Sequence, residues 1–554
     1  MHADIDTDIL IVGGGTGGVA AALAVADAGH RCVLTETTDW LGGQLTAQAV
    51  PPDENRWIEG DDTGPAGLPV DGGTRSYRRF REAVREHVRA HRRLTAEARS
   101  DPRLNPGGGW VSRLCYEPAV GKAVIDAMLA PHVASGAVTL RLNHTPIEAD
   151  VEGDRVRAVT FHDAHAHQRV TVAARYVLDA TELGDLLPLT GAEHTIGAES
   201  QAQTGETHAL TGDPDPTDQQ AVTWVFALEH RPGEDHTLDK PAGYDAWASF
   251  VPDLDPPWPG PLFSWTICGD GHQPRRLGFT PWPDTPSEGE LELWRYRRVI
   301  DRSIHDPDER GDRPPDVTLV NWVQNDYFLS PLLGVSPDQP QKAIADAREQ
   351  ARCLLYWMQT DAPRHDGDAT GYPGLRLHPA SMGTPDGFAR SLYVREARRL
   401  DAVLNLSEAH VGADHRRHEG HRNVTPLNTP AAEAFPDAVG IGHYPIDLHP
   451  STAGRNQLYV EACPFQLPLR SLVPRRLTNL LSAGKGLGVT HIANGCTRLH
   501  PVEWNVGEAA AALAAHCLDA DTAPHALATG RPAAVEPLQK TLTARGIPLA
   551  WPWA

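Results

Sequence analysis

The sequence predicts an α/β fold that contains a Rossmann-like unit of strand, helix and strand. Three features near the N-terminus lead to this prediction. The stretch "DILIV" (8–12) is typical of a short buried strand, "GGVAAALAVADAG" (17–29) of an Ala-rich helix ended by Gly29, and "RCVLTE" (31–36) of a second strand. Glycines fill the turn between the first strand and the helix, which indicates that the backbone approaches another group closely there.

The glycine turn carries the spacing G-x-G-x-x-G at Gly13, Gly15 and Gly18. The first glycine permits a tight turn, the second lets a pyrophosphate approach, and the third lets helix and strand pack closely. The helix N-terminus, with Thr16 and Gly17, offers free N–H groups to that pyrophosphate. An ordinary tight turn is the alternative, but the order of strand, glycines, helix and strand favours dinucleotide binding.

An acidic residue completes the pattern at the end of the second strand. Glu36 follows Gly18 by 18 residues. A carboxylate at this position accepts hydrogen bonds from the ribose of an adenine dinucleotide. We therefore expect Glu36 to belong to the cofactor-binding set.

Composition favours a small-molecule partner over a polymer or a membrane. The 554 residues suggest about two domains. With 50 basic and 72 acidic residues, the formal charge of −22 opposes binding to nucleic acid or an anionic membrane. The acidic N-terminus does not resemble a secretory signal, and no apolar run reaches the length of a membrane helix. Seven scattered cysteines suit reduced thiols, so we expect a cytoplasmic protein.

A second glycine pair follows Glu36 and points to a flavin. Gly42, Gly43 and then Gln44 lie just beyond the acidic residue. With this pair the chain resembles flavoproteins of the glutathione-reductase-like superfamily, and in particular a bacterial FAD-dependent oxidoreductase family. The resemblance continues in "NPGGGWVSRLCYEP" (105–118), "DATELGDLLPLTGAEHTIGAES" (179–200), "NWVQNDY" (321–327), "YVREARRL" (393–400), "HYPIDLHP" (443–450) and "VPRRLTNLLSAGKGLGVTHIANGCTRLHPVEWNVGEAAAALA" (473–514).

The resemblance implies FAD as the cofactor and a discontinuous FAD-binding domain of the glutathione-reductase type. A large α+β substrate domain is inserted into it. The implied pieces are 1–60, 105–200 and 470–525 for the FAD-binding domain, 201–469 for the substrate domain, and 526–554 for a C-terminal tail.

The C-terminal motif is expected to make a second flavin contact. "TNLLSAG" reads as a strand ending at Gly484, and "NVGEAAAALAAHCL" as a helix beginning near Asn505 and Gly507. In the superfamily this helix start faces the N1/C2 side of the flavin, where N–H groups stabilise negative charge. A further strand–helix unit of the sheet is the plainer alternative.

The absence of a second strand-coupled G-x-G-x-x-G favours reduction of the flavin by a bound organic substrate. We expect a small alcohol, sugar, amine or nitrogen heterocycle to give two electrons to flavin N5, with dioxygen or an electron carrier reoxidising it. A flavin monooxygenase or halogenase is the alternative, and a non-catalytic nucleotide-binding module is the third class. The protein is expected to be a monomer or homodimer.

Candidate catalytic residues lie in the motifs that carry the resemblance. His449, beside Tyr444, and His491 are candidates for handling a proton, although each also suits a core histidine bonded to backbone. Arg395 is a candidate for binding a substrate carboxylate, with Glu396 holding it, although a structural ion pair is the alternative.

Other polar clusters are expected to have structural roles. Asn325 and Tyr327 are further site candidates of lower rank. The histidines of 161–168 read as a hairpin tip, and the arginines within 415–421 oppose cation binding, so no metal site is predicted. The charged stretch 75–100 reads as an amphipathic helix with a solvated face.

Overall fold

The predicted N-terminal strand, helix and strand are present in the computed structural model, which describes residues 3–60, 70–282 and 291–553. The strands pair in parallel, with Leu10 opposite Val33. The prediction of a helix ended by Gly29 is confirmed, because this glycine follows the helix C-cap at a φ of +83°. Residues 1–2 and 554, at the outer limits of the predicted first domain piece and tail, lie outside the described residues.

The helices within the described residues are bounded as follows. They are α1 (Thr16–Asp27), α2 (Arg75–His91), α3 (Ala96–Ser100), α4 (Pro118–Ala134), α5 (Leu186–Thr190), α6 (Gln201–Thr204), α7 (Tyr244–Ala248), α8 (Leu293–Tyr296), α9 (Gln339–Thr360), α10 (Pro379–Met382), α11 (Glu408–Val411), α12 (Ala413–His418), α13 (His491–Thr497), α14 (His500–Ala520), α15 (Pro524–Ala528) and α16 (Glu536–Ala544).

The strands of the same part of the chain fall into one large sheet and several small ones. They are β1 (Ile5–Val12), β2 (Cys32–Glu36), β3 (Val138–Leu142), β4 (His144–Glu152), β5 (Arg155–Asp163), β6 (Gln168–Asp179), β7 (His194–Thr195), β8 (Val222–Thr223), β9 (Phe226–His230), β10 (Thr266–Cys268), β11 (Pro274–Gly278), β12 (Leu291–Glu292), β13 (Arg298–Ile300), β14 (Val317–Val320), β15 (Asp326–Tyr327), β16 (Leu375–Leu377), β17 (Arg399–Leu400), β18 (Ala438–Gly442), β19 (Ile446–Leu448), β20 (Leu458–Val460), β21 (Phe465–Pro468) and β22 (Leu480–Ser482).

The large sheet has a parallel part and an antiparallel extension. Strands β3, β2, β1 and β6 run in parallel, and β22 adds a parallel partner to the end of β6. The start of β6 instead pairs with β5 and, through it, with β4 in antiparallel order. This is a mixed α/β architecture with the parallel sheet of a Rossmann-like FAD-binding fold. The turn 164–167 between β5 and β6 confirms the predicted hairpin tip.

Helix α14 begins at His500, seven residues before the glycine at which the sequence pattern placed its start. Pro501 occupies the first turn, where its missing N–H costs nothing. Gly507 therefore lies inside the helix. A Cβ on it would come within 2.0 Å of the Gly17 carbonyl oxygen, so this glycine allows α14 and α1 to approach closely. The prediction of a helix N-terminus at Gly507 is wrong for this reason.

The stretch 75–100 forms two helices, α2 and α3, rather than one, and part of its charge is buried. Arg81 and Arg85 are almost fully buried and form ion pairs with Glu54 and Glu59. A fully solvated face was therefore the wrong interpretation of these arginines. Burying such charges requires well-paired partners, which the two glutamates supply.

The two largest of the apolar clusters among the described residues draw on different parts of the chain. The first joins α1, α14 and the sheet to side chains such as Val411, Val439 and Phe465. The second is built between Ala221 and Phe388 and is rich in tryptophan. Residues of the predicted substrate domain thus contribute to both cores, and the domain boundaries remain a prediction.

Two further features concern the environment of the protein. The seven cysteines are buried and form no disulfide. Among the helices of the described ranges, none combines the length and apolar character needed to cross a bilayer.

Candidate active site

The glycine turn between β1 and α1 has a geometry that only glycine satisfies. Gly13 has a φ of +99°, and a Cβ there would lie 2.3 Å from the Ala180 carbonyl oxygen. A Cβ on Gly18 would lie 1.9 Å from the Gly13 carbonyl oxygen. Gly15 caps α1 without any side-chain hydrogen bond, which leaves the first-turn N–H groups available to an anion.

The second glycine pair lies directly against this turn. The Gly42 N–H donates to the Gly14 carbonyl oxygen at 2.7 Å, and the Thr16 hydroxyl donates to the Gly42 carbonyl oxygen at 3.0 Å. A Cβ on Gly43 would lie 2.9 Å from the Gly15 Cα. Sequence-distant glycines thus form one continuous cradle.

Two more of the predicted residues adjoin this cradle. A Cβ on Gly17 would lie 2.0 Å from the Ala483 carbonyl oxygen, so α1 packs tightly against the chain that follows β22. At Gly484 the nearest atoms would be 3.5 Å from an added Cβ, an ordinary contact distance. Gly484 therefore lies at the cradle without a steric requirement for glycine.

Glu36 lies at the end of β2 beside the turn, as its spacing predicts. One carboxylate oxygen accepts from the Gly14 N–H at 2.8 Å, and the other accepts from the Thr38 N–H at 2.9 Å. Burial raises the pKa of this carboxyl group, although the two N–H groups oppose the shift.

An acidic side chain that sequence reasoning missed lies against both glycine turns. The Oε1 atom of Glu182 would be 2.7 Å from a Cβ on Gly15 and 2.5 Å from one on Gly43. This oxygen is buried without a hydrogen-bond partner in the described structure, while the other carboxylate oxygen pairs with the buried Lys485. A negative charge at a helix N-terminus is favourable, and the lysine balances it further.

A buried polar chain leads from the cradle towards the start of α14. The Gln44 amide donates to Glu503 at 2.5 Å and to the Arg498 carbonyl oxygen at 3.0 Å. Burial raises the pKa of Glu503 to about 7, and the charge of Lys485 opposes that shift. Gln44 thus links the glycine turns to the first turn of α14.

Asn505 and Gly507 lie away from this path. The Asn505 side chain accepts from the Ile441 N–H at 3.1 Å and so ties α14 to β18. Gly507 faces α1. Because α14 begins at His500, neither residue presents a helix N-terminus to a ligand, and their predicted place beside the flavin is corrected accordingly.

A cavity of about 360 Å³ opens where this path ends. Its wall combines buried and half-buried charged, polar and aromatic side chains. They include Asp53, Tyr296, Arg297, Asn321, Trp322, Gln324, Tyr393, Arg395, Tyr444, Asp447, His449 and Arg498. Arg395, Tyr444 and His449 were predicted from the sequence, and the cavity brings these three together.

His449 is held by a buried aspartate. Its Nδ1 lies 2.5 Å from an oxygen of Asp326, and its Nε2 lies 3.6 Å from Asp447. Burial opposes ionisation of Asp326, but the charges of Arg395 and His449 outweigh it and lower the pKa of this aspartate. With the Nδ1–H donating to Asp326, the Nε2 atom of His449 faces Asp447 and the cavity, where it can exchange a proton with a bound molecule.

Arg395 has a different partner from the one expected. It is 1% exposed and pairs with Asp326 at 3.0 Å, while Glu396 pairs with Arg399 and with His491. The two side chains have different partners, so Glu396 does not hold Arg395. The guanidinium of Arg395 is already compensated, which argues against it as the anchor of a substrate carboxylate.

His491 is not in the cavity wall. Its Nδ1 lies 2.9 Å from Glu396, and its Nε2 lies 2.8 Å from Arg455 Nη2. Both ring nitrogens are engaged and the residue is 2% exposed. Of the two histidines predicted to handle a proton, only His449 therefore lines the cavity.

Of the remaining candidates Tyr444, Asn325 and Tyr327, only Tyr444 lines the cavity. Burial and the charges of Asp53 and Asp447 raise the pKa of Tyr444 well above its usual value, so the phenol stays protonated in the cavity wall. Asn325 donates to backbone carbonyls, and Tyr327 contacts Asp346 on another face. Neither lines the cavity.

Unpaired polar atoms cluster at the inner end of the cavity. His500, the first residue of α14, accepts from the Asp53 N–H at its Nδ1, so its Nε2 carries the proton. That Nε2–H is fully buried without a partner in the described ranges, as are Nε and Nη1 of Arg297. Burial and three nearby cations lower the pKa of His500, which keeps it neutral. Asp326 and His500 lie within the quoted segments 321–327 and 473–514 but were not chosen as site residues, and Arg297 lies in no quoted segment.

The family model described as FAD dependent oxidoreductase matches residues 8–542, nearly the whole chain. The protein belongs to this FAD-dependent oxidoreductase family. It is accordingly a flavin enzyme, and its cofactor is FAD.

Two curated proteins are similar to this protein over short segments. An FAD-dependent monooxygenase of Arthrinium sp. (atnJ) is 37% identical over 70 residues, which are 12% of this chain. A second FAD-dependent monooxygenase, from Nectria sp. (ntnJ), is 34% identical over 67 residues, also 12% of this chain. The match spans 16% of the length of each of these relatives.

Solved structures also resemble this family member. A geranylgeranyl bacteriochlorophyll reductase-like protein from Thermoplasma acidophilum has a TM-score of 0.31 and 10% identity, over 98% of this chain and 84% of that one. The myxobacterial chondrochloren halogenase has a TM-score of 0.22 and 18% identity, over 42% of this chain and 45% of that one.

The residues present fit FAD. Gly13, Gly15 and Gly43 lie too close to neighbouring protein atoms to carry a Cβ, and α1 begins beside them with no side-chain hydrogen bond at its N-cap. Unpaired buried atoms continue along the same path, at the Gln44 and Gln48 side-chain oxygens and at His500 Nε2. Buried polar groups require partners, and the polar edge of an isoalloxazine ring supplies both donors and acceptors.

Proposed function

We propose that the protein catalyses the FAD-dependent oxidation of a small organic substrate held in the cavity beside His449. The observation that carries this proposal is the His449–Asp326 pair, in which one ring nitrogen is held at 2.5 Å and the other lies in the cavity wall, 3.6 Å from Asp447. A histidine oriented in this way can exchange a proton with a molecule bound in the cavity.

The cofactor would be held along the path already described. The turns at Gly13–Gly18 and Gly42–Gly43 would hold the diphosphate, and Glu36 the adenosine ribose. Gln44 and the Nε2–H of His500 would meet the polar edge of the ring. FAD, when bound, supplies two-electron redox chemistry, and the chain supplies orientation and proton handling.

The chain's own residues provide one proton-transfer step. His449 Nε2 takes a proton from a substrate O–H, N–H or activated C–H, and becomes positively charged. Asp326 and Asp447, at 2.5 Å and 3.6 Å from the ring nitrogens, stabilise that charge. Tyr444 stays protonated and donates a hydrogen bond into the cavity. The enclosed wall limits water near the reacting atoms.

The source of the electrons distinguishes two forms of this oxidation. The two curated relatives are FAD-dependent monooxygenases. This favours monooxygenation over the direct oxidation by the substrate that the sequence led us to expect. We infer monooxygenation: substrate R–H, dioxygen, NAD(P)H and a proton give R–OH, water and NAD(P)⁺. One oxygen atom enters the substrate, and the two electrons that reduce the other come from the nicotinamide.

Direct oxidation by the substrate remains the second candidate, and one sequence observation favours it. A G-x-G-x-x-G turn occurs at residues 13–18, and no second strand-coupled copy follows in the sequence. A substrate that itself reduces the cofactor needs no nicotinamide site, and it needs the base that His449 provides.

Anaerobic reduction of the holoenzyme tests the proposal. NADH, NADPH and a panel of small alcohols, amines and organic acids are each mixed with it, and loss of the visible flavin absorbance is followed. Rapid reduction by a nicotinamide, with label from heavy-oxygen dioxygen in the product under air, supports monooxygenation. Reduction by an organic substrate alone supports direct oxidation. Slow reduction by every compound contradicts both forms.

A further inference from the structure

One buried arginine in the cavity wall lacks the compensation that its neighbours have. Arg395 pairs with Asp326 at 3.0 Å, and Arg498 donates to Tyr393 and to Asp447 at 2.8 Å and 3.2 Å. Arg297 is 8% exposed, and its nearest carboxylate, Asp53, is 3.8 Å away.

Two of the three guanidinium nitrogens of Arg297 are without hydrogen-bond partners in the described residues. These are Nε and Nη1, and the facing Oδ1 of Asp53 is also unpartnered. The guanidinium otherwise lies 4.9 Å from the ring centre of Tyr296. A buried cation with unmet N–H groups is costly, and an anion with acceptor oxygens removes that cost.

The main chain of Arg297 is held within the fold, beside the cavity wall. The residue lies between α8 and β13, and its carbonyl oxygen accepts from the Leu319 N–H on β14 at 3.1 Å. Because the side chain lines the same cavity as His449, a molecule bound by Arg297 lies within the enclosure that also contains the proton acceptor.

We infer that Arg297 binds an anionic group of the substrate, so that the substrate class is small organic acids, with a carboxylate as the group recognised. This inference rests on the proposed function of the cavity. The sequence predicted that Arg395 binds the substrate carboxylate. We assign this role to Arg297 instead, because Arg297 has no carboxylate within hydrogen-bond distance among the described residues. Because Arg297 and His449 are different residues of the cavity wall, they also orient the substrate, with its anionic end at Arg297 and its reacting end towards His449.

Two carboxylate probes and their uncharged analogues test this inference by binding alone. Acetate and benzoate, each against acetamide and benzamide, are titrated into the holoenzyme while the flavin difference spectrum and thermal midpoint are recorded. We expect at least one carboxylate to bind about tenfold or more tightly than its amide. Equal affinities, or no carboxylate binding at millimolar concentrations, would overturn the inference.

Variants identify the arginine. Arg297→Met should weaken carboxylate binding by about 30-fold or more and leave amide binding unchanged, because the buried anion loses its partner. Arg297→Lys should recover part of the loss. The matched control Arg390→Met, at an exposed pair with Asp39, should bind like wild type. Wild-type carboxylate affinity in Arg297→Met would overturn the assignment.

Two arms separate this inference from its alternatives. Asp53→Asn removes the competing carboxylate and should tighten benzoate binding, a gain that misfolding does not produce; weaker binding contradicts the inference. If Arg297 instead serves FAD, Arg297→Met loses FAD or changes the flavin spectrum without any probe. Carboxylate binding at Arg297 with no turnover of any compound contradicts the proposed function alone, whereas turnover restricted to uncharged substrates contradicts this inference alone.

Discussion

The Nδ1 atom of His449 lies 2.5 Å from the Oδ2 atom of Asp326, although 123 residues separate them in the chain. Asp326 is fully buried, and its other oxygen accepts from Arg395 and Thr223. These contacts fix both the orientation and the tautomer of the histidine. The pair therefore defines which side of the cavity receives a proton.

Asp326→Asn should lower the rate of substrate oxidation by about 10²-fold or more, because His449 loses the carboxylate that stabilises its charged form. The measurement is the rate at saturating substrate, with FAD content and thermal midpoint recorded beside it. Asp386→Asn, at an exposed pair with Arg348, is the matched control and should retain the wild-type rate. An unchanged rate in Asp326→Asn would remove this aspartate from the mechanism.

Gly15→Val should abolish FAD retention, because a branched side chain at the N-cap of α1 fills the glycine cradle. Visible flavin absorbance per protein after gel filtration measures the retention. Gly212→Val is the matched control, since a Cβ at that exposed loop position meets nothing within 4 Å. Full FAD occupancy in Gly15→Val would show that the cofactor lies elsewhere.

Gly507→Ala should destabilise the protein by about 1–3 kcal/mol, because the new Cβ would lie 2.0 Å from the Gly17 carbonyl oxygen. The change is measured as a shift in the urea midpoint. Gly484→Ala should be tolerated, since its Cβ would meet ordinary contacts at 3.5 Å. Equal stability of the two variants would contradict the close packing of α1 on α14.

The contribution of His443 to stability should be lost as the pH falls from about 6.5 towards the pKa of this histidine in the folded protein. Burial lowers the pKa of this histidine to about 4. An unfolded chain with a histidine pKa near 6.5 binds more protons in this window, so stability is lost as the pH falls below about 6.5. We expect His443 to account for about 1–2 kcal/mol of the loss.

A pair of variants isolates that contribution. His443→Phe keeps an aromatic ring against Trp57, 5.4 Å away between ring centres, but removes the titration. Its urea midpoint, followed by tryptophan fluorescence, should depend less on pH than that of wild type. His421→Phe, at an exposed position, should keep the wild-type dependence. The same pH dependence in all three proteins would reject the role of His443.

The parts of the fold that the sequence predicts are those set by local spacing. Strand β1, the turn at Gly13–Gly18, α1 and Glu36 follow from a single short segment, and the hairpin tip at 164–167 follows from its flanking strands. These elements need no information about distant residues. They also carry the confirmed identity of the cofactor.

The parts that the sequence does not predict depend on contacts between distant segments. The start of α14 was misplaced because Gly507 resembles a helix boundary, whereas its glycine serves packing against α1. Asp326 was not singled out because only folding brings it to His449. Arg395 lies 3.0 Å from a carboxylate, whereas the nearest carboxylate to Arg297 is 3.8 Å away. This difference depends on which acidic residue the fold brings close to each arginine.

The most direct test of the account is the rate of substrate oxidation in His449→Gln at saturating substrate, with FAD content confirmed. Removal of a general base typically costs about 10²- to 10⁴-fold, and we expect a loss in that range. Tyr444→Phe and His491→Gln should stay within about tenfold of wild type, because neither removes the proton acceptor. A wild-type rate in His449→Gln, or a comparable loss in His491→Gln with FAD still bound, would contradict the account.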